Sequence, residues 1–161
     1  MLETKDLIDL THTLAAPILE DKKYPWEALP LIKEFILQLG PTLDPEVYEN
    51  KGEGIWIAKS AKVFDSAYIA GPCIIGPETE VRQCAFIRGS ALIGSKCVIG
   101  NSTELKNVII SDNVEVGCQS VLNPGTVIGR GCRVYPLSRV RGVIPEKHIF
   151  KDAEHIVPIE E

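Results

Sequence analysis

Arg88 and Lys106 stand eighteen residues apart, each directly after an aliphatic residue, Ile87 and Leu105, and Glu104 lies two positions before the lysine. If the chain repeats in space every eighteen residues, the two cations stack on one outer wall. Arginine grips a phosphate through two parallel N–H bonds and lysine adds a point charge, so the pair would clamp a phosphate or diphosphate. The plain alternative is a solvated surface pair, partly neutralised by Glu104. The other reactive side chains are less promising. His12, His148 and His155 all fall outside residues 57–143, where the repeat described below runs, and read as surface or cap residues. They supply no general base and no imidazole set for a metal from within that stretch. The five cysteines, Cys73, Cys84, Cys97, Cys118 and Cys132, form no C-x-x-C pair and have no histidine at zinc-ligand spacing. They read as free thiols, small and apolar, in a reducing compartment. No metal is expected, and no catalytic residue can be named.

An eighteen-residue period is what the sequence provides. Stepping by six from Ile57 meets Val63, Ile69, Ile75, Val81, Ile87, Ile93, Ile99 and Leu105, every one aliphatic. After a slip of one residue the series resumes at Ile110, Val116, Leu122, Ile128, Val134 and Val140. A second register, four residues further on, is small: Ala61, Ala67, Cys73, Thr79, Ala85, Ala91, Cys97, Thr103, then Ser120, Thr126, Cys132 and Ser138, with Val114 the exception. A short strand and a tight bend use about six residues, and three such edges close a triangle of about eighteen. Coils stacked about 4.8 Å apart through parallel hydrogen bonds would make a column on the order of 25 Å tall. The large residues fill it from the flat sides and the small ones from the corners, which places Cys73, Cys97 and Cys132 in the core and leaves Cys84 and Cys118 more exposed. The expected fold is therefore all-β, a parallel β-helix of about five triangular coils.

The ends need covering, because an open solenoid exposes strand edges and apolar core. Residues 25–39 read as an amphipathic helical cap, with Trp26, Leu29, Ile32, Ile36 and Leu39 on one face, Pro25 in the first turn and Gly40–Pro41 as the stop. Residues 42–54 read as a linker with turns at Asp44-Pro45 and Gly52-Glu53-Gly54. The expected division is 1–54 helical cap and linker, 55–145 β-helix, and 146–161 a C-terminal tail that packs along its own coils or a neighbour's. A net charge of −5 over 161 residues argues against nucleic acid as partner but not against a small anion held by local cations. No run is long and apolar enough for a signal peptide or a membrane span, which makes the cytoplasm the expected location.

The pattern aliphatic-Gly-x-x-small-x, as at Ile75-Gly76 and Ile93-Gly94, resembles the left-handed β-helix of the hexapeptide-repeat acyltransferase superfamily, an exception to the usual crossover hand. Phe86-Ile87-Arg88 and Glu104-Leu105-Lys106 are similar to two motifs of the acetyltransferase domain of N-acetylglucosamine-1-phosphate uridyltransferase. The chain as a whole resembles relatives labelled UDP-N-acetylglucosamine pyrophosphorylase-related. The resemblance implies that Arg88, Glu104 and Lys106 contact the phosphate and sugar of an acceptor, that acetyl-CoA is the acyl donor, and that the chain is a homotrimer with sites between subunits. It also implies a catalytic histidine after the Lys-Asn pair, in a stretch with a tyrosine and a Gly-Ala-Gly turn. Here Lys106-Asn107 runs through VIISDNV into EVGCQSVLNPGT with no histidine, and Tyr135-Pro136 stands where the family's coenzyme wall is small. The expectation is a member shortened in register, by evolution or by design. It is acyltransferase-like towards an amino-sugar phosphate of the UDP-N-acetylglucosamine pathway, but impaired. The alternative is a non-catalytic scaffold or nucleotide-sugar binder. Partners beyond a sugar phosphate or nucleotide sugar, whether nucleic acid or membrane, are not expected.

Overall fold

A computed structural model describes residues 1–160. The chain winds as a left-handed parallel β-helix of about five turns, each turn contributing a short strand to each of three faces. The first face stacks Ile55–Ala58, Cys73–Ile75, Ala91–Ile93, Val108–Ile110 and the last residues of Val121–Ile128 and Arg139–Ile144. The second stacks Lys62–Val63, Glu80–Val81, Val98–Ile99, Glu115–Val116, Arg133–Val134 and His148–Asp152. The third stacks Tyr68–Ile69, Phe86–Ile87, Glu104–Leu105 and the first residues of the two longer strands.

The six-residue ladder is the interior. Ile75, Ile93, Val81, Ile99, Ile87 and Leu105 are fully buried in one continuous core. The small register occupies the corners and its polar members are satisfied there. Thr79 donates to the Gly94 carbonyl at 2.6 Å, and Thr126 to that of Asn123 at 2.7 Å. The thiols of Cys97 and Cys132 reach the carbonyls of Ser111 and Pro145 at 3.1 and 3.0 Å. Corner geometry explains two sequence features. A residue at positive φ sits in nearly every bend: Glu78, Cys84, Ser90, Lys96, Ser102, Asn107, Asn113 and Gln119. The spacing is six except between Ser102 and Asn107, where the one-residue slip is absorbed, so Ile110 lies above Ile93 after only seventeen residues. The glycines that follow aliphatic residues are not the left-handed ones. A Cβ on Gly76 would lie 2.6 Å from the Gly94 carbonyl, so they are required by the coil above rather than by φ.

The helical segment lies elsewhere than over the end of the column. Pro25–Leu31 is a 3₁₀ helix that continues as the α-helix Ile32–Leu39. This segment, with residues 4–19, covers the outer side of the first face. Leu19, Ala28, Ile32 and Ile36 pack against the outward column Trp56, Ile74, Leu92, Ile109 and Val127, and the two sides form a second core. The sequence carries this in a form that the six-residue count passes over. Trp56-Ile57, Ile74-Ile75, Leu92-Ile93, Ile109-Ile110 and Val127-Ile128 are apolar doublets, one per turn, as expected of strands covered on both sides. Because the first half of the cap has a three-residue period, Pro25 and Ala28 face inward, while Trp26 is 43% exposed and stacks on Tyr24 with centroids 4.7 Å apart. The α-helix ends at Gly40, which caps it in right-handed backbone, and a Cβ there would sit 2.4 Å from the Trp56 indole.

Both ends of the column are closed by a reversal of strand direction. Tyr48–Gly52, in the stretch expected to be linker, pairs antiparallel with Ile55–Ala58. At the other end His148–Asp152 joins the second face, placing Phe150 above Val134, and His155–Pro158 folds back antiparallel upon it. The last coil is reached by tightening a corner: one residue, Arg141, spans what Asn123, Pro124 and Gly125 span below. Charged residues at these outer strands, among them Glu49, Lys51 and Lys151, oppose further pairing.

Candidate functional site

The third face, like the second, is left bare by the chain's own helices. Its inward residues are buried, so the alternation of a strand turns their neighbours to solvent in two columns. One column is Tyr68, Phe86, Glu104, Val121 and Arg139; the other, two residues on, is Ala70, Arg88, Lys106, Asn123 and Arg141. Arg88 and Lys106 are in register one coil apart, and the Arg88 backbone N–H donates to the Leu105 carbonyl at 2.8 Å. The Glu104 carboxylate accepts from Arg88 Nη1 at 3.0 Å, with both side chains close to half exposed. Among the described residues, no ion pair or side-chain hydrogen bond engages Lys106, Arg139 or Arg141. Among the described residues the face thus presents four cations against one carboxylate, in a chain whose net charge is −5. Arg139 and Arg141 flank Val140 of the six-residue series, eighteen residues after Val121 and Asn123, and so join the same two columns. Tyr68 and Phe86 complete it, their centroids 5.4 Å apart and their planes tilted by 60°, and the Arg88 guanidinium lies 5.8 Å from the Phe86 ring.

None of the three histidines is on this face. His12 reaches the edge between the first and second faces, which is the edge opposite the third. There its carbonyl accepts from the Asp112 N–H at 2.9 Å, and its Nδ1 lies 3.5 Å from Asp112 Oδ2. His148 Nδ1 lies 2.8 Å from the Glu146 carbonyl, and His155 Nδ1 lies 2.7 Å from Asp152 in the terminal hairpin. The same edge holds Arg130, 3.4 Å from Asp9 and 3.3 Å from Glu146. Thr11 hydrogen bonds hold the Asp9 carboxyl below the ordinary carboxylate range. These contacts fasten the N-terminal segment to the solenoid.

The second face carries a shallow groove of about 440 Å³, with Gly100 and Gly117 in its floor and Arg82, Arg133, Tyr135 and Pro136 around it. Pro136 lies so close over Gly117 that a Cβ there would meet its nitrogen at 2.4 Å. Arg133 is committed elsewhere: it lies 3.4 Å from Glu115 and donates to the carbonyls of Asn113 and Cys132. The thiols offer little reactivity in the core. Burial pushes those of Cys73 and Cys97 up to about 12 and that of Cys132 to about 11, whereas Cys84 is exposed and Cys118 half-buried. Among the described residues, no group of His, Cys, Asp and Glu is arranged to hold a metal ion, and no helix is long and apolar enough to cross a membrane.

Residues 52–157 match the family model described as GMPPB C-terminal domain. No curated protein matches the chain. Among solved structures, the chain is similar to a hexapeptide-repeat-containing acetyltransferase of Vibrio cholerae. The identity is 19% and the TM-score 0.60, over 94% of this chain and 98% of that one. It is also similar to such an acetyltransferase of Vibrio cholerae O1 biovar eltor complexed with acetyl coenzyme A, at 16% identity and TM-score 0.49 over 89% and 95% of the two chains. PerB of Caulobacter crescentus, in complex with CoA and GDP-perosamine, gives 20% identity and a TM-score of 0.27 over 59% and 52%. At these identities the likeness is one of fold, the left-handed β-helix of hexapeptide-repeat acetyltransferases.

Proposed function

The chain belongs to the family of the GMPPB C-terminal domain, and we propose that it is an acyltransferase-like protein that binds a sugar phosphate or nucleotide sugar on its third face with little or no acyl transfer. The observation that carries the reading is the register of Arg88 and Lys106, two exposed cations one coil apart. Arg88 is half-spent on Glu104 and Lys106 is open, so the lysine supplies most of the attraction and the arginine most of the geometry. A phosphate between them would draw Arg88 from Glu104, leaving the carboxylate free to accept from a sugar hydroxyl or amine. The ligand class proposed is an amino-sugar phosphate of the UDP-N-acetylglucosamine pathway, in the cytoplasm, on a homotrimer.

Acetyl-CoA is the acyl donor of this reading, and the groove on the second face is the concavity nearest in kind to what it needs. The fit is partial: a glycine floor admits a narrow chain, but Arg133 is already tied to Glu115 and two carbonyls. Deprotonation of an attacking amine is the step this chain's residues serve least. The imidazoles lie off the third face, and among the described residues Glu104, hydrogen-bonded to Arg88, is the one carboxylate beside the clamp. Thiol release from acetyl-CoA in the presence of glucosamine-1-phosphate, measured beside calorimetric binding of the same sugar phosphate, tests the proposal. Binding without steady thiol release is expected. Sustained turnover would overturn the claim of impairment, and absence of binding would return Arg88 and Lys106 to ordinary surface charge.

A further inference from the structure

Building on the reading that Arg88 and Lys106 hold phosphate, we propose that the ligand of the third face is a nucleoside diphosphate, free or sugar-linked, whose base lies on the Tyr68–Phe86 pair. A sugar phosphate alone leaves this pair without a role. Tyr68 is 62% exposed and Phe86 40%, although each directly precedes an inward residue of the core ladder. On the first face the same outward positions are covered by the chain's own helices. Bare large rings in register on adjacent coils, at the end of a cationic stripe, mark a surface that something else covers.

The dimensions agree. Lys106 lies two coils above Tyr68 and two residues across, which is roughly 10 Å along the axis and 7 Å along the strand. That diagonal is comparable to the reach from a base to its terminal phosphate, and the flexible side chains span the rest. Charge agrees as well. A diphosphate carries more negative charge than one clamp neutralises, and Arg139 and Arg141 extend the stripe two coils further, with no ion pair of their own among the described residues. Phe86 already accepts the Arg88 guanidinium over its ring region at 5.8 Å, so base, ring and cation can share one contact. A second copy of the chain docking by this same face is the rival occupant, and four cations against one carboxylate oppose it.

The test is calorimetric titration of UDP, GDP and glucosamine-1-phosphate, separately, into the full chain and into Tyr68→Ala, Phe86→Ala and Lys106→Ala, with melting temperature and oligomeric state measured for each. Lys106→Ala is expected to weaken all three ligands several-fold. The ring variants are expected to weaken the nucleoside diphosphates about tenfold while leaving the sugar phosphate unchanged, and Tyr68→Phe to restore the affinity. Ring variants that bind nucleoside diphosphates like the parent, that lose both ligand kinds equally, or that change oligomeric state with nucleotide affinity intact would overturn the inference. Lys106→Ala binding everything like the parent would instead overturn the clamp reading beneath it.

Discussion

The first and third faces are built from the same coils by the same alternation, yet their outward columns have opposite fates. Trp56, Ile74, Leu92, Ile109 and Val127 are sealed beneath the N-terminal helices; Tyr68, Phe86, Glu104, Val121 and Arg139 are left to solvent or half-covered. The inward ladder cannot distinguish them, because it is aliphatic on every face. What distinguishes them is the residue beside the ladder, apolar throughout where the chain covers itself and, Val121 apart, aromatic or charged on the third face. In a solenoid, the fold is written in one strand parity and the assignment of each face in the other.

Truncation should separate the two faces most sharply. Leu92→Ala or Ile109→Ala is expected to cost about 2–5 kcal/mol by urea denaturation, as for a fully buried core side chain, because the helices cannot follow the lost atoms. Phe86→Ala on the third face should cost about 1 kcal/mol or less. Equal costs would mean that the helical cover contributes nothing. The thiols give the next largest contrast. Cys84 should react with an aromatic disulfide in the native protein, whereas Cys73, Cys97 and Cys132 should wait for unfolding. Since burial raises the Cys73 and Cys97 thiols from 9.0 to about 12, the unfolded chain loses those protons first as pH rises. Their contribution to stability is therefore whole below pH 9 and declines from there towards about pH 12. A melting temperature flat across pH 8.5–10.5 would contradict their burial. A smaller effect is expected at the clamp: Lys106→Ala should weaken sugar-phosphate binding several-fold with no change in melting temperature. Smallest of all, Glu104→Gln should free Arg88 and tighten phosphate binding about twofold, with a stability change of about 0–1 kcal/mol.

How much of this was legible depends on which force set each element. The coil, its three-sidedness and the register of Arg88 over Lys106 follow from a period that side-chain burial imposes, so Ile57 to Val140 could be read directly. The slip after Leu105 was visible as a missing residue, but its absorption at the Ser102–Asn107 corner rests on φ values that no residue type announces. The helix of residues 32–39 was legible as an apolar stripe, but a stripe says only that it is buried, not against what. Its position on the first face was written in the doublets from Trp56-Ile57 onward, which the six-residue count overlooks. The closing hairpins were hidden for a related reason. Tyr48–Gly52 is a largely exposed edge strand whose polar residues look like linker, and the half-buried Ile156 and Val157 of His155–Pro158 are too short an apolar run to be told from a tail. Of the site, Arg88 and Lys106 were readable from spacing; Arg139 and Arg141 flank Val140 of the same series, but the motifs that singled out the clamp do not extend to them.

Amide chemical-shift mapping with glucosamine-1-phosphate tests most directly whether the bare third face is the binding face. The account requires the largest shifts at Phe86–Arg88 and Glu104–Lys106, fading towards Asn123. Shifts concentrated instead at Gly100, Gly117 and Tyr135 in the groove of the second face, or none at saturating ligand, would contradict it.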